Sequence, residues 1–182
     1  QIDAGRWDIV GGNYIQTDQN MPATETMIRQ FLRGQQYFQR AFGRTVRTAW
    51  ATDNFGHAAG IPNILAAAGF DNIALTRPYA WQHPLPSAVF WWEGTDGSRI
   101  LTYRPPIGWY GCERDEIPRR LSEYLAWSKN TPLENIGVFY GLGDHGGGPT
   151  RRLIEDIKSW AAAHPEVRVV HSTLSGYFAA LR

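Results

Sequence analysis

Strand-like and helix-like segments alternate along this chain, and that alternation constrains the fold more than any other feature of the sequence. Runs rich in β-branched and aromatic residues are each followed by a segment with helical periodicity. This pattern is typical of a mostly parallel sheet surrounded by helices. The sequence therefore predicts a single α/β domain over residues 1–182. Part of a β/α barrel and an open doubly wound sheet fit the pattern equally well.

The predicted elements can be placed along the chain. Strands are expected near residues 7–10, 45–50, 72–76, 136–140 and 167–170. Helices are expected near residues 24–43, 60–68, 114–128, 150–163 and 173–181. Two further strand-like runs, 89–93 and 99–103, flank the turn sequence Gly-Thr-Asp-Gly, which predicts one β-hairpin inserted into the alternation.

Composition excludes several classes of function. Charged residues make up 19% of the chain and the net charge is +1, so no nucleic-acid partner is predicted. No apolar run reaches the ~18 residues of a membrane span, so no membrane partner is predicted either. Cys112 is the single cysteine, which excludes an internal disulfide framework. The eight tryptophans fit either a core of large side chains or a carbohydrate-handling surface.

Three aspartates come just after strand-like runs: Asp18, Asp53 and Asp144. The carboxyl ends of parallel strands share one edge of a sheet, where active sites collect. We therefore expect these carboxylates to converge, together with Arg77, which follows another strand-like run. Each aspartate is also a common turn or helix-capping residue, and Arg77 could form a surface salt bridge, so these explanations stay open at this point.

Asp144 stands in a glycine-rich sequence, YGLGDHGGGPT, at residues 140–150. Glycines let a backbone approach a ligand closely, and they also suit a flexible turn ahead of a helix. The sequence is not a phosphate-binding loop, because the Lys-Ser/Thr ending is absent. His57 and His145 could each bind a metal, but no two histidines have the i, i+4 spacing of a helical metal site, and a lone histidine is more often a structural residue with its hydrogen bonds satisfied.

Three motifs together resemble family 38 of the glycoside hydrolases, the retaining α-mannosidases. Residues 48–78, TAWATDNFGHAAGIPNILAAAGFDNIALTRP, resemble the family's nucleophile segment. Residues 5–38 are similar to the segment before it, and YGLGDHGGGPT resembles the glycine-rich motif of bacterial and cytosolic-type members. The motifs occur in the family's order and span essentially the whole chain. The resemblance implies an internal fragment of the catalytic N-terminal domain, part of an incomplete (β/α)7-type barrel.

The resemblance implies roles for particular residues. Asp53 is expected to be the catalytic nucleophile and a zinc ligand, and Asp144 the acid/base, with His145 as the alternative. The residues expected to contact the sugar are Asp18, Arg77, Trp109 and Tyr110. The implied reaction is hydrolysis of terminal α-mannosides through a covalent glycosyl-enzyme. Such a retaining mechanism places its two carboxyl groups about 5–5.5 Å apart.

The zinc site is where the sequence departs from the family pattern. The family's His-x-Asp ligand pair and a further zinc histidine have no match in residues 1–182, so Asp53 is the single matched ligand. Zinc sites in proteins use three or four protein ligands. We therefore expect Zn²⁺ in the full-length enzyme and not in this chain alone. The chain is expected to be inactive without the remaining segments of its parent.

Two other classes of function are alternatives. An inactive sugar-binding relative would keep the crevice without the metal. A polysaccharide deacetylase-like metal hydrolase would share a similar incomplete barrel, but it needs a His-x-x-x-His pair, a spacing that this sequence lacks. In the main interpretation the partner is a mannoside or mannose-containing glycan, and the glycine-rich motif favours a bacterial cytoplasmic location.

Overall fold

The computed structural model describes residues 1–113, 115–144 and 146–182. They form two compact units. The sheet unit comprises Gln1–Arg104 and Thr173–Arg182, and the loop–helix unit comprises Pro105–Ser172. The prediction that residues 1–182 form one barrel domain stays a prediction.

The sheet unit is built on four strands: β1 (Thr48–Ala51), β2 (Asn72–Leu75), β3 (Val89–Glu93) and β4 (Arg99–Tyr103). Their order in the sheet is β1-β2-β4-β3. Strands β1, β2 and β4 are parallel, and β3 is antiparallel to β4. The sheet is therefore mostly parallel and open, which confirms the predicted α/β class. The predicted hairpin is also confirmed, and its second strand β4 is itself a member of the parallel set.

Five helices are described in chain order: α1 (Thr24–Phe42), α2 (Ile61–Ala67), α3 (Ile117–Ser128), α4 (Arg151–Ala163) and α5 (Leu174–Ala180). Helix α1 ends where Gly43 adopts a left-handed conformation and donates its N–H to the carbonyl of Gln39. Met27 and Phe31 of α1 are buried, whereas Phe42 of the predicted apolar stripe is exposed. None of the helices in the described part of the chain is long and apolar enough to cross a membrane.

Each unit has its own apolar core. The core of the sheet unit joins side chains of α1, α2 and the strands: Met27, Phe31, Val46, Ala49, Ala51, Ile61, Leu65, Phe70, Ile73 and Ile100. The core of the loop–helix unit lies largely between α3 and α4: Cys112, Ile117, Leu121, Leu153, Ile157 and Trp160. Thr150 caps α4 by accepting a hydrogen bond from the backbone N–H of Leu153. Burial of these side chains holds each sheet or helix face in place.

Three predicted strands are wrong: residues 7–10, 136–140 and 167–170 have no strand conformation. A short apolar run indicates that its side chains are buried, but a strand also needs a hydrogen-bonded neighbouring strand in register. Residues 7–10 illustrate the difference, because Ile9 packs against the core of the sheet unit and the Asp8 side chain accepts a hydrogen bond from the backbone N–H of Ser175, yet the segment forms no strand. The apolar residues Val138 and Tyr140 pack against the core of the loop–helix unit without forming a sheet.

Candidate active site

Asp53 and Arg77 lie at the same edge of the sheet. Strands β1 and β2 are parallel with Ala51 opposite Leu75, and the two polar residues each follow two positions later. Equal offsets from a parallel register bring their side chains together. Arg77 donates to Oδ1 of Asp53 from Nε at 3.1 Å and from Nη2 at 2.9 Å. The predicted convergence of these two residues on one edge is therefore what the structure shows.

The Arg77 guanidinium contacts two aromatic rings, and the ion pair stays partly accessible to solvent. The Arg77 guanidinium lies 4.4 Å from the centroid of the Phe55 ring and 4.9 Å from that of Tyr79. Cations are attracted to the faces of aromatic rings, so these contacts restrict the guanidinium. The Asp53 side chain is 31% exposed and that of Arg77 is 23% exposed. A carboxylate that is oriented and still open to solvent can meet a ligand.

Asp18 belongs to a loop that hydrogen-bonds to the segment following Asp53. Gln19, its neighbour, forms an isolated parallel bridge with His57 and accepts a hydrogen bond from the N–H of Ala58. Oδ1 of Asp18 itself accepts hydrogen bonds from the backbone N–H groups of Asn20 at 2.7 Å and Met21 at 3.1 Å. The turn role that aspartate commonly has is thus realised at Asp18. Burial lowers the pKa of His57, and the Asp18 charge partly opposes this lowering.

His57 connects the Asp18 loop to Arg77, a role that the sequence did not indicate. Its Nδ1 lies 2.7 Å from Oε1 of Gln19, and its Nε2 lies 2.9 Å from the backbone oxygen of Arg77. Burial lowers the pKa of His57, against opposing effects of the Arg77 hydrogen bond and the Asp18 charge. Both ring nitrogens are already engaged, so His57 is a structural link rather than a metal ligand.

The loop–helix unit brings the other predicted residues together. Trp109 and Tyr110 pack beside Gly143, the residue before Asp144. A Cβ at Gly143 would lie 2.9 Å from the Cα of Gly111, 3.0 Å from the Tyr110 ring and 3.2 Å from the Trp109 ring. No side chain fits that space, so glycine permits the close approach. Asp144 is exposed and has a positive φ of 68°, an uncommon conformation for a residue other than glycine.

A buried arginine on α3 supports the aromatic loop. Nη1 of Arg120 lies within hydrogen-bond distance of three backbone carbonyl oxygens, those of Gly111 at 2.6 Å, Phe139 at 3.3 Å and Trp109 at 3.4 Å. Its charge is balanced by Glu116, with Nη2 and Oε2 3.6 Å apart. Arg120 therefore ties the loop before α3 to residues 136–140, and sequence periodicity alone gave no sign of this.

The predicted sites divide between the two units. The sheet unit holds Asp18, Asp53 and Arg77, and the loop–helix unit holds Trp109, Tyr110 and Asp144. The predicted convergence of Asp53 with Asp144 stays a prediction. The alternative acid/base, His145, lies outside the described residues.

The residues present do not by themselves form a zinc site. Over residues 1–113, 115–144 and 146–182, no group of three or more His, Cys, Asp or Glu side chains could hold a metal ion. Oδ1 of Asp53 is occupied by Arg77, and His57 has no free nitrogen to offer. Asp53 could supply one oxygen to a metal whose other ligands came from elsewhere, but the described residues do not fit Zn²⁺ on their own.

In α/β folds, active and ligand-binding sites collect at the carboxyl ends of parallel strands, which is where Asp53 and Arg77 lie. The family model for the glycosyl hydrolases family 38 N-terminal domain matches residues 1–182. This chain belongs to that family.

Alpha-mannosidases that resemble this chain agree with the family assignment. Alpha-mannosidase 2C1 of Mus musculus is 34% identical over 179 residues, which cover 97% of this chain and 17% of that protein. The alpha-mannosidase of Saccharomyces cerevisiae is 32% identical over 164 residues, covering 87% of this chain and 15% of that protein. The chain thus spans under a fifth of the length of these relatives.

Solved structures share the fold. An alpha-mannosidase from Enterococcus faecalis V583 superimposes with a TM-score of 0.74 at 23% identity, covering 99% of this chain and 21% of that one. A 4-alpha-glucanotransferase from Thermococcus litoralis superimposes with a TM-score of 0.63 at 16% identity, covering 98% and 27%. At these identities the likeness establishes the fold.

Proposed function

We propose that this chain supplies part of the catalytic site of a retaining α-mannosidase that acts on mannosides or mannose-containing glycans. Family membership and the alpha-mannosidase relatives support the reaction class. The observation that carries the proposal is the Asp53 carboxylate. It lies at the carboxyl edge of the parallel sheet, is oriented through one oxygen by Arg77, and stays partly exposed. A nucleophilic carboxylate needs both properties, fixed orientation and access.

In the proposed first step, a carboxylate oxygen of Asp53 attacks the anomeric carbon of the terminal mannose. The bond between that carbon and the glycosidic oxygen breaks, and its electron pair goes to the leaving oxygen. Asp144 donates the proton that this oxygen takes up. The product is a covalent glycosyl ester of Asp53, with Arg77 still bound to the carboxyl group.

In the second step, water replaces the leaving group. Asp144, now ionised, takes a proton from the water as its oxygen attacks the anomeric carbon, and the ester bond to Asp53 breaks. The aromatic faces of Trp109 and Tyr110, which pack beside Gly143, the residue before Asp144, are suited to the apolar faces of a sugar ring. Asp18 is proposed to line the same sugar site through the oxygen that its turn does not use.

Zinc enters the proposal only through the longer protein. A bound Zn²⁺ would polarise and hold sugar hydroxyl groups. Because the described residues do not complete a site for it, neither step above uses it. The bacterial cytoplasmic location stays a prediction that depends on the resemblance of the glycine-rich motif.

The experiment that tests the proposal uses chemical rescue of the natural full-length protein. Asp53→Ala and Asp144→Ala are assayed with an activated aryl α-mannoside in the presence of azide. Loss of the nucleophile lets azide attack the substrate directly and give the β-mannosyl azide. Loss of the acid/base lets azide attack the glycosyl-enzyme and give the α-mannosyl azide. The anomers are distinguished by NMR.

Each outcome of the rescue has a meaning. The opposite pair of anomers would reverse the two roles, and near-normal turnover by Asp53→Ala would remove Asp53 as nucleophile. Sugar binding by the unaltered protein without turnover would favour the inactive sugar-binding relative.

A further inference from the structure

Trp81 is an exposed tryptophan that is nonetheless fixed in place. Its side chain is 67% exposed, and its ring stacks on that of Tyr79 with centroids 4.2 Å apart and an angle of 15° between the planes. The Arg77 guanidinium also lies over the Tyr79 ring, at 4.9 Å. Trp81 covers one face of Tyr79, so the guanidinium occupies the other face. A continuous stack therefore runs from Trp81 through Tyr79 and Arg77 to Asp53.

The turn that carries the two rings is held by hydrogen bonds at several points. The N–H groups of Gln82 and His83 both donate to the carbonyl of Tyr79, and the N–H of Tyr79 donates to Oε1 of Gln82. The buried Arg104 donates from Nη1 to the carbonyl of Pro78 at 3.1 Å. A ring that is held this way loses little conformational freedom when a ligand covers it.

We propose that Trp81 is the platform for the sugar residue on the leaving-group side of the scissile bond. This inference rests on the proposed function of Asp53. The mannose that is cleaved must touch Asp53 directly, whereas Trp81 is separated from that carboxylate by Tyr79 and Arg77. A sugar over Trp81 is thus the next residue of a glycan. The apolar C–H face of a pyranose and the flat indole both leave water when they stack, which favours binding.

Two substrates separate this subsite from the site of the cleaved mannose. An α-linked mannobiose places a sugar on the leaving-group side, whereas α-mannosyl fluoride places only a fluorine there. Trp81→Ala in the natural full-length protein should lower kcat/KM for mannobiose about tenfold, which corresponds to about 1.4 kcal/mol. The value for the fluoride should stay within about twofold, since the leaving group makes no contact with the ring. The α1,2-, α1,3- and α1,6-linked disaccharides should all be compared.

Two variants complete the design. Trp81→Phe keeps a flat ring and should recover most of the mannobiose activity. Trp91→Ala removes another exposed tryptophan, 58% exposed and on the outer strand β3, and should leave both substrates unaffected. Equal losses on both substrates, or no loss on either, would overturn the platform. Equal losses with a lowered Tm would mean that Trp81 packs against another part of the protein.

Different measurements test the proposed α-mannosidase function and the Trp81 platform. If the unaltered protein does not hydrolyse the fluoride, the α-mannosidase proposal fails. The platform is then judged by titrating the unaltered protein and Trp81→Ala with mannobiose in a calorimeter. An affinity about tenfold weaker in the variant supports the platform, and equal affinities overturn it.

Discussion

Arg77 directs both of its hydrogen bonds to a single oxygen of Asp53, Oδ1. A comparable pair joins the amino ends of the same two strands, where Arg47 and Asp71 immediately precede β1 and β2. There Nε of Arg47 binds Oδ2 at 2.5 Å and Nη2 binds Oδ1 at 2.7 Å, so both carboxylate oxygens are used. At the carboxyl end of the strands, Arg77 makes no hydrogen bond to Oδ2 of Asp53. The same strands thus carry one closed ion pair and one in which the arginine binds a single carboxylate oxygen.

This contrast provides a matched test of Asp53. Asp53→Asn keeps the shape of the side chain and removes its charge, and it should lower kcat of the natural full-length protein by at least about 1,000-fold. Asp71→Asn makes the same change in the closed pair and should leave kcat within about twofold. Turnover is measured on an aryl α-mannoside, and thermal unfolding is followed for both variants. Comparable kcat values in the two variants would contradict the assignment of Asp53.

Arg77 should matter through geometry as well as charge. Arg77→Lys keeps the positive charge but cannot place two donors on Oδ1, and lysine does not stack on Phe55 in the same way. We expect kcat to fall about 100-fold, the size of effect that a misplaced reactive group produces. Arg47→Lys is the control and should leave kcat unchanged. Activity of Arg77→Lys close to the unaltered protein would show that charge alone suffices.

His57 should make stability depend on pH. Burial holds its pKa below the ordinary value of about 6.5, so the folded state resists a proton that the unfolded state accepts. The contribution of neutral His57 to the free energy of unfolding is thus expected to be at its maximum above about pH 6.5. It should fall as the pH drops from there toward the folded-state pKa, by at most about 1.4 kcal/mol per pH unit.

The partners of His57 constrain how a neutral ring is placed. The Arg77 carbonyl accepts only, so Nε2 of a neutral ring carries the proton. Nδ1 of that ring can only accept, so it requires the Gln19 amide to present its NH₂ group instead of the Oε1 that lies 2.7 Å away. Urea unfolding at several pH values between 5 and 8 measures the effect. His57→Gln should flatten the profile in this range, and profiles that stay parallel would argue against a buried neutral His57.

The class of fold could be read from the sequence because burial and periodicity agree in most elements. Strands β1 and β2 are short and fully or nearly fully buried, and the turn residues between β3 and β4 matched a hairpin. Residues 136–140 showed the same apolar pattern but form no strand. The apolar pattern indicates which side chains are buried. It does not indicate whether a neighbouring strand is present to form the hydrogen bonds of a sheet.

The candidate site was predictable where it depends on strand ends. Asp53 and Arg77 follow parallel strands at equal distance, so the alternation of elements was enough to place them on one edge. His57 and Arg120 were missed as supporting residues because their partners, the Gln19 side chain and several backbone oxygens, are not neighbours in the sequence. No spacing in the sequence encodes the contact of Arg120 with Phe139. Such contacts depend on tertiary packing rather than on local propensity.

Zinc binding is expected to distinguish this chain from the longer protein. Asp53 is the one matched ligand, and the described residues offer no group of three. Isothermal titration of residues 1–182 with Zn²⁺ should show no tight 1:1 site, with circular dichroism confirming that the chain is folded. The natural full-length protein should lose turnover on chelation and regain it with Zn²⁺. A tight site in residues 1–182 would mean that the ligands were misjudged.

Arg120 and its neighbour Arg119 allow a test of the support beneath the aromatic loop. Arg120→Met removes the donor shared by the carbonyls of Trp109, Gly111 and Phe139, and these buried or partly buried oxygens would lose that partner. We expect the free energy of unfolding to fall by about 1–3 kcal/mol. Arg119 lies next to it on α3, but it is exposed and pairs with Glu116 and Glu123 at the surface. Arg119→Met should therefore change Tm little.

Catalysis and loop dynamics should also differ between Arg120→Met and Arg119→Met. A loosened loop would no longer hold Trp109 and Tyr110 against Gly143, so Arg120→Met should raise KM for a mannoside more than it lowers kcat. Hydrogen exchange of residues 105–113 should speed up in Arg120→Met and not in Arg119→Met, because a freed loop opens more often. Arg120→Lys, which keeps the charge without the planar fork, should fall between the unaltered protein and Arg120→Met. Equal stability, exchange and KM in Arg119→Met and Arg120→Met would show that the buried guanidinium does not hold the loop.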